Sequence, residues 1–183
     1  MPILLLFFAI IVLLVLFAVS LYNRLVRLRN NREQAFADVD VQLKQRHDMI
    51  PQLVEAVKGY MVHERGVLTE VTEARANAMK ATTINEKIVA ETRLSSALDG
   101  LKVSVEAYPD LKASQNFMQL QDELSDTENK IQASRRFYNG NVRDFNTKIQ
   151  VFPTNMIAGL LGFKKYDFFQ IEQEEKQAPK VEF

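Results

Sequence analysis

The sequence predicts an all-α protein in which an N-terminal transmembrane helix runs into an antiparallel bundle of about four long helices. Three observations carry this reading. Residues 3–19 are an unbroken apolar run. The 183 residues include only six Gly and five Pro against many Ala, Leu, Glu, Lys, Arg and Gln, a composition that favours helix. Beyond the run, apolar residues recur at spacings of three, four and seven, the stripe of an amphipathic helix.

The run ILLLFFAIIVLLVLFAV, extended by Ser20, Leu21 and Tyr22, reaches the ~20 residues that span a bilayer core. A cleaved secretory signal is the competing reading, because Ala18 and Ser20 offer small residues in an A-x-A-like arrangement. Such a signal begins with a basic stretch and has an apolar core of about 7 to 15 residues. Here only Met1 and Pro2 come first. Arg24, Arg27, Arg29 and Arg32 follow the run at once, so the positive-inside rule favours an outside amino terminus and a cytoplasmic bundle. A bundle outside the cytoplasm is the other orientation. Either way the expectation is a single-pass protein of the cell membrane.

The helical stripe continues from Leu21 through Leu25, Leu28, Ala35, Val39 and Leu43 with no Gly or Pro between, so anchor and bundle should share one helix. A second stripe holds Ile50, Leu53, Val54, Val57, Met61, Leu68, Val71, Ala74 and Ala78. A third, weaker helix is expected over residues 85–107, with Ile88, Val89, Leu94, Leu98, Leu101 and Val105 inward. Pro109 then pushes Tyr108 out of helical geometry, and Ser114 is placed to cap the next helix. That fourth helix carries Phe117, Leu120, Leu124, Ile131, Tyr138, Val142, Phe145, Ile149 and Phe152, and Pro153 ends it.

Pro51 decides the topology. Proline inside a helix costs about 3 kcal/mol but is tolerated in a first turn, and Asp48 offers a cap there. The favoured reading is a chain reversal at residues 47–51, which returns Phe152 toward the membrane. The alternative is one kinked helix through Pro51, since the apolar stripe crosses it. The organisation is then an anchor at residues 1–22, a bundle at 23–152, an apolar C-terminal segment at 153–170 and a polar tail at 171–183 expected to be disordered.

Candidate chemistry is sparse. Lys+Arg and Asp+Glu are both 23, so no net field draws the chain to nucleic acid. With no cysteine, disulfides, thiolate metal sites and a cysteine nucleophile are excluded together. Neither His47 nor His63 stands in a Glu-x-x-His or H-E-x-x-H spacing, and adjacent His63 and Glu64 point to different faces of a helix. The six glycines form no phosphate loop, dinucleotide fingerprint or nucleophile elbow. No catalytic, cofactor-binding or metal residue is assigned, no cofactor or small-molecule substrate is indicated, and the expectation is that the protein is not an enzyme.

Two polar or apolar features remain. Arg46, Arg135 and Arg136 lie near helix seams and, with Asp40, Asp48, Glu123 or Glu128, are candidates for interhelical ion pairs that fix register. The plainer alternative is exposed salt bridges at ~0 to 1 kcal/mol each. The tail FPTNMIAGLLGFKKYDFFQ gathers Met156, Ile157, Leu160, Leu161, Phe163, Phe168 and Phe169, too apolar for a solvated end. It should pack on the bundle, on a partner subunit or on the membrane surface.

The motifs in order are YNRLVRLRNN at 22–31, DVQLKQRHDMIPQLVEAVKGY at 40–60, HE at 63–64, AR at 74–75, AYPDLKASQNFMQLQDEL at 107–124 and ASRRFYNGNVRDFN at 133–146. FP at 152–153, GF at 162–163 and FF at 168–169 complete the set. This series resembles the bacterial LemA family. The resemblance implies a membrane-attached, mostly helical protein without defined biochemical activity, and supplies no catalytic residues. Some members carry a lipoprotein Cys just before the Tyr-Asn pair; this chain has Leu21 there. The expected function is that of a non-enzymatic structural or protein-interaction module, self-associating or joined to another membrane protein. The alternative is a membrane-shaping or lipid-contacting scaffold acting through the apolar C-terminal segment.

Overall fold

The computed structural model describes residues 1–61 and 64–169. Their elements are six helices with no strand among them: α1 Pro2–Lys58, α2 Arg65–Lys80, α3 Ile84–Val105, α4 Pro109–Lys112, α5 Gln115–Lys148 and α6 Thr154–Leu160. The all-α class and the long apolar first helix are as the sequence predicts. The polar tail at 171–183, residue 170 and His63 lie outside the described residues.

The reversal expected at residues 47–51 does not occur there. α1 passes through Pro51 and ends at Lys58, where the amides of Tyr60 and Met61 both close onto the Val57 carbonyl. The stripe read as one helix from Ile50 to Ala78 is therefore divided between α1 and α2. The stop has a local cause: Gly59 follows Lys58, and glycine is about 1 kcal/mol poorer than alanine in a helix. Later boundaries follow their own chemistry. Thr83 and Glu86 form a reciprocal capping box at the start of α3, and the Ser114 carbonyl accepts the Met118 amide at 3.0 Å as α5 begins.

The chain forms two compact units. One comprises Val39–Ala133 with Phe169, among the described residues. Its core is filled by Ile50, Leu53, Val57 and Met61 of α1, Leu68, Val71, Ala74 and Ala78 of α2, Leu94, Ala97, Leu98, Leu101 and Val105 of α3, Leu111 of α4 and Phe117 of α5. In this unit α1 and α5 run antiparallel, residue 46 meeting 128 and residue 49 meeting 127. Val89, expected inward, is 68% exposed; it stands two residues, about 200° of helix, before buried Glu91 and so faces away from the core.

The other unit comprises Met1–Asp38 and Ser134–Phe168. Leu25 and Ala35 of α1 are buried in it, with Tyr138, Val142 and Phe145 of α5 and Thr154 and Ala158 of α6. The first part of α1 is long and apolar enough to cross a membrane, and none of its apolar window is buried by protein. Phe152, expected on the inward stripe of the fourth helix, is instead exposed. α5 stops at Lys148, and Phe152 falls in the turn before Pro153, where the helical periodicity that would bury it no longer applies.

Candidate functional site

One turn of α1, at Arg46 and His47, gathers polar groups from α2, α3 and α5. Arg46 is completely buried. One of its terminal nitrogens pairs with Glu91 Oε2 of α3. The other donates to Glu128 Oε1 of α5 at 2.5 Å and to Ser95 Oγ of α3 at 3.1 Å. His47 Nε2 lies 2.8 Å from Glu91 Oε1, so both oxygens of the buried Glu91 carboxylate are engaged. Burial by itself raises the Glu91 pKa, but the His47 hydrogen bond and the Arg46 charge outweigh it and hold the carboxyl below its ordinary range. A buried charge is tolerated when paired and hydrogen-bonded; both terminal nitrogens of Arg46 meet that condition, while its Nε is buried without a hydrogen-bond partner.

The fourth helix joins through the backbone. In an α-helix the amide of residue 51 would bond the carbonyl of residue 47, but Pro51 has no N–H. Arg75 Nε of α2 donates to that His47 carbonyl at 2.6 Å. A side chain from α2 thus supplies the bond that proline withholds, which explains how α1 continues through Pro51. Asp40 of α1 and Lys87 of α3 form a further pair at 2.5 Å.

Several expected residues can now be placed. Arg46 with Glu128 is an interhelical ion pair, as the seam position suggested. Asp40 pairs with Lys87 on α3, and Asp48 pairs with Lys44 on its own helix, whose hydrogen bond lowers the Asp48 pKa. Glu123 is held by Gln119 one turn earlier at 3.0 Å. Glu91, the centre of the cluster, was not singled out from sequence. Its one signal was position: it lies three residues before Leu94, on the inward face of the weakest stripe. Among the described residues, no group of three or more His, Asp or Glu is placed to hold a metal ion. His47 and Glu91 resemble an acid/base pair in distance only. They are 7% and 1% exposed, and the Glu91 carboxylate is already shared with an arginine.

The second feature lies in the other unit, where the segment after α6 is strapped down. The Asn146 carboxamide donates to the Tyr166 carbonyl at 2.9 Å and accepts the Tyr166 amide at 2.9 Å. Tyr138 Oη donates to the Asp167 carbonyl at 3.0 Å, and burial raises the Tyr138 pKa. The Arg32 guanidinium stands 4.0 Å from the Tyr166 ring centroid and 5.8 Å from those of Phe36 and Tyr138, within cation–π range. Phe145 contacts Phe163 and Tyr166 at centroid distances of 6.1 and 5.0 Å. Part of the apolar C-terminal segment therefore packs on its own chain.

α6 precedes this strap and ends in a Schellman motif. The Phe163 amide bonds the Ala158 carbonyl and the Gly162 amide the Gly159 carbonyl, at 3.0 and 3.3 Å. Gly162 has φ 72°, a left-handed conformation that side chains resist. The turn carries the chain so that Phe163 lies 6.5 Å from Tyr22 of α1. This unit therefore returns the C-terminal segment to the end of the apolar run, although the reversal expected at residues 47–51 is absent.

The LemA family profile matches residues 35–183. Protein LemA of Metamycoplasma hominis is 30% identical over 84% of this chain and 71% of its own length. Magnetosome protein MamQ 2 of Paramagnetospirillum magneticum and Magnetosome protein MamQ of Magnetospirillum gryphiswaldense are each 20% identical over 81% of this chain, which spans 64% of their length.

Proposed function

The chain belongs to the LemA family, and from that premise we propose that it is a membrane-anchored, non-enzymatic helical module that works by association. In this reading it crosses the membrane once through residues 1–22, and its helices bind a second copy of the chain or another membrane protein. The observation that carries the proposal is α1 itself. One helix takes an apolar run without protein cover and continues, unbroken by a linker, into the residues that organise the Arg46 cluster. No Gly or Pro stands between residues 21 and 46, so no flexible linker of that composition follows the run.

The polar cluster supports a structural role. Arg46, Glu91 and His47 are buried and committed to one another, whereas a catalytic group must reach substrate. Ion pairs that join three helices fix register. The Arg24, Arg27, Arg29 and Arg32 flank favours a cytoplasmic body.

The test is extraction of the full chain from its native membrane in a mild detergent, followed by sizing and identification of co-purifying proteins. The expected outcome is a species larger than one chain, either homo-oligomeric or carrying a reproducible partner. A strict monomer that copurifies with nothing would refute the association reading.

A further inference from the structure

α6 is inside out. Thr154 and Ala158, four residues apart, face the protein and are buried, while Met156 and Leu160 face outward at 67% and 86% exposed. Phe152 just before the helix is 78% exposed, and Leu161 just after it is also exposed. A helix surrounded by water presents the opposite arrangement, with its large apolar residues inward and its hydroxyl out. The same unit shows what lies beside that outward face. The Gly162 turn sets Phe163 against Tyr22, where the apolar run of α1 ends. Arg24, Arg27, Lys164 and Lys165 are exposed near this contact, a basic rim complementary to anionic headgroups.

We propose that α6 is an interfacial helix. Its outward residues Phe152, Met156, Leu160 and Leu161 enter the ~5–10 Å boundary between headgroups and acyl chains, in the membrane that α1 spans. The occupant is lipid rather than a second protein copy, because the patch is continuous with the end of the membrane run and is edged by positive charge. The inference rests on the reading of α1 as an anchor.

The chain has no tryptophan, so a single introduced one reports its own surroundings. Leu160→Trp, with Met156→Trp as a second reporter, is placed in the full chain and reconstituted into phosphatidylcholine–phosphatidylglycerol vesicles. The probes are aqueous iodide and phosphatidylcholine brominated either near the headgroup or near the chain end. Leu13→Trp, in the apolar run, reports the anchor. Phe137→Trp, also on an exposed residue of this unit, reports water; its neighbour Tyr138 meets Phe36, which lies ~21 Å along α1 from Tyr22 at the helical rise of ~1.5 Å per residue.

The expected result is that both α6 reporters lose most of their emission to shallow bromines, resist iodide and emit to the blue of Phe137→Trp. If Leu13→Trp is quenched by deep bromines while the α6 reporters respond to iodide instead of bromine, the interfacial helix is refuted and the anchor stands. Shielding of the α6 reporters from both quenchers means a protein cover and refutes it equally. Equal lipid quenching of Phe137→Trp would mean nonspecific adsorption and also overturn it. If Leu13→Trp itself is not quenched by lipid, anchor and inference fall together.

Discussion

Pro51 and Arg75 should act as one device, and a double-mutant cycle measures whether they do. Arg75→Met keeps an apolar stem and removes the donor that reaches the His47 carbonyl at 2.6 Å. A hydrogen bond from a charged group contributes about 1.5–3 kcal/mol, so we expect the substitution to cost about 2 kcal/mol by that rule. Pro51→Ala returns the missing amide. Interior proline costs about 3 kcal/mol, offset by up to about 1 kcal/mol of lost rigidity in the unfolded chain, so P51A should stabilise by about 2 kcal/mol. With that amide restored, the carbonyl no longer depends on Arg75, and Arg75→Met should then cost about 0.5 kcal/mol. The resulting coupling of about 1.5 kcal/mol exceeds the ~0.3–0.5 kcal/mol within which independent sites add. The four proteins are compared in one detergent by urea denaturation followed with far-UV circular dichroism. In a thermal melt, Arg75→Met alone should lower Tm by about 4–8 °C for a chain of this size. Equal costs of Arg75→Met in the two backgrounds would refute the reasoning, because Arg75 would then not be replacing the amide.

The remaining predictions concern the ion cluster, the strap and acid stability. Glu91→Ala leaves buried Arg46 with Glu128 and Ser95 alone and should cost about 3 kcal/mol, the low end for a broken buried pair. Glu128→Ala, at a carboxylate 35% exposed, should cost about 1 kcal/mol or less; the same denaturation assay would refute the ranking if the two costs were equal. Tyr138→Phe removes the bond to Asp167 and should cost about 1 kcal/mol; it should also speed tryptic cleavage after Lys164 and Lys165, and an unchanged cleavage rate would count against the strap. The Glu86 carboxyl is lowered from 4.5 to about 2, chiefly by the Thr83 amide and then by the Thr82 amide. Because the folded pKa is depressed, the capping stabilisation is complete above about 4.5 and is lost as pH falls toward about 2. Glu86→Gln should therefore flatten the loss of stability across that interval, and an acid profile identical to that of the parent would contradict the assignment.

The apolar faces were legible in sequence because they depend on local periodicity. Leu25, Val39, Leu43, Ile50, Leu53 and Val57 all lie on the buried side of α1, as their spacing requires. The end of α1 at Lys58 was masked by two competing local signals. Proline reads as a break, yet the Pro51 defect is repaired by an arginine more than twenty positions later, a repair visible only after folding. Gly59 is the true stop but occurs among residues whose apolar stripe carries on past it. Arg46 and Glu128 could be named among the candidate pairing residues because Arg46 lies near a seam, but which acid each arginine meets is set by the fold. Glu91 could not, since hydropathy gives a buried glutamate the same score as a solvated one, and its partners lie 44 and 45 positions away. The covering of the apolar C-terminal segment stays open in sequence between bundle, partner and membrane surface for the opposite reason: clustered apolar residues announce burial without choosing the medium.

The Asn146 strap has a consequence for how the C-terminal segment can vary. A carboxamide that pairs with both the amide and the carbonyl of residue 166 reads a peptide group, which every residue but proline offers alike. Tyr138 likewise grips the carbonyl of residue 167 rather than its carboxylate. The hold on this stretch is therefore indifferent to the side chains at 164, 165 and 167, all of them exposed. Substitution at these three sites can retune outward charge, lysine for acid or amide, while the path of the chain beneath them stays the same.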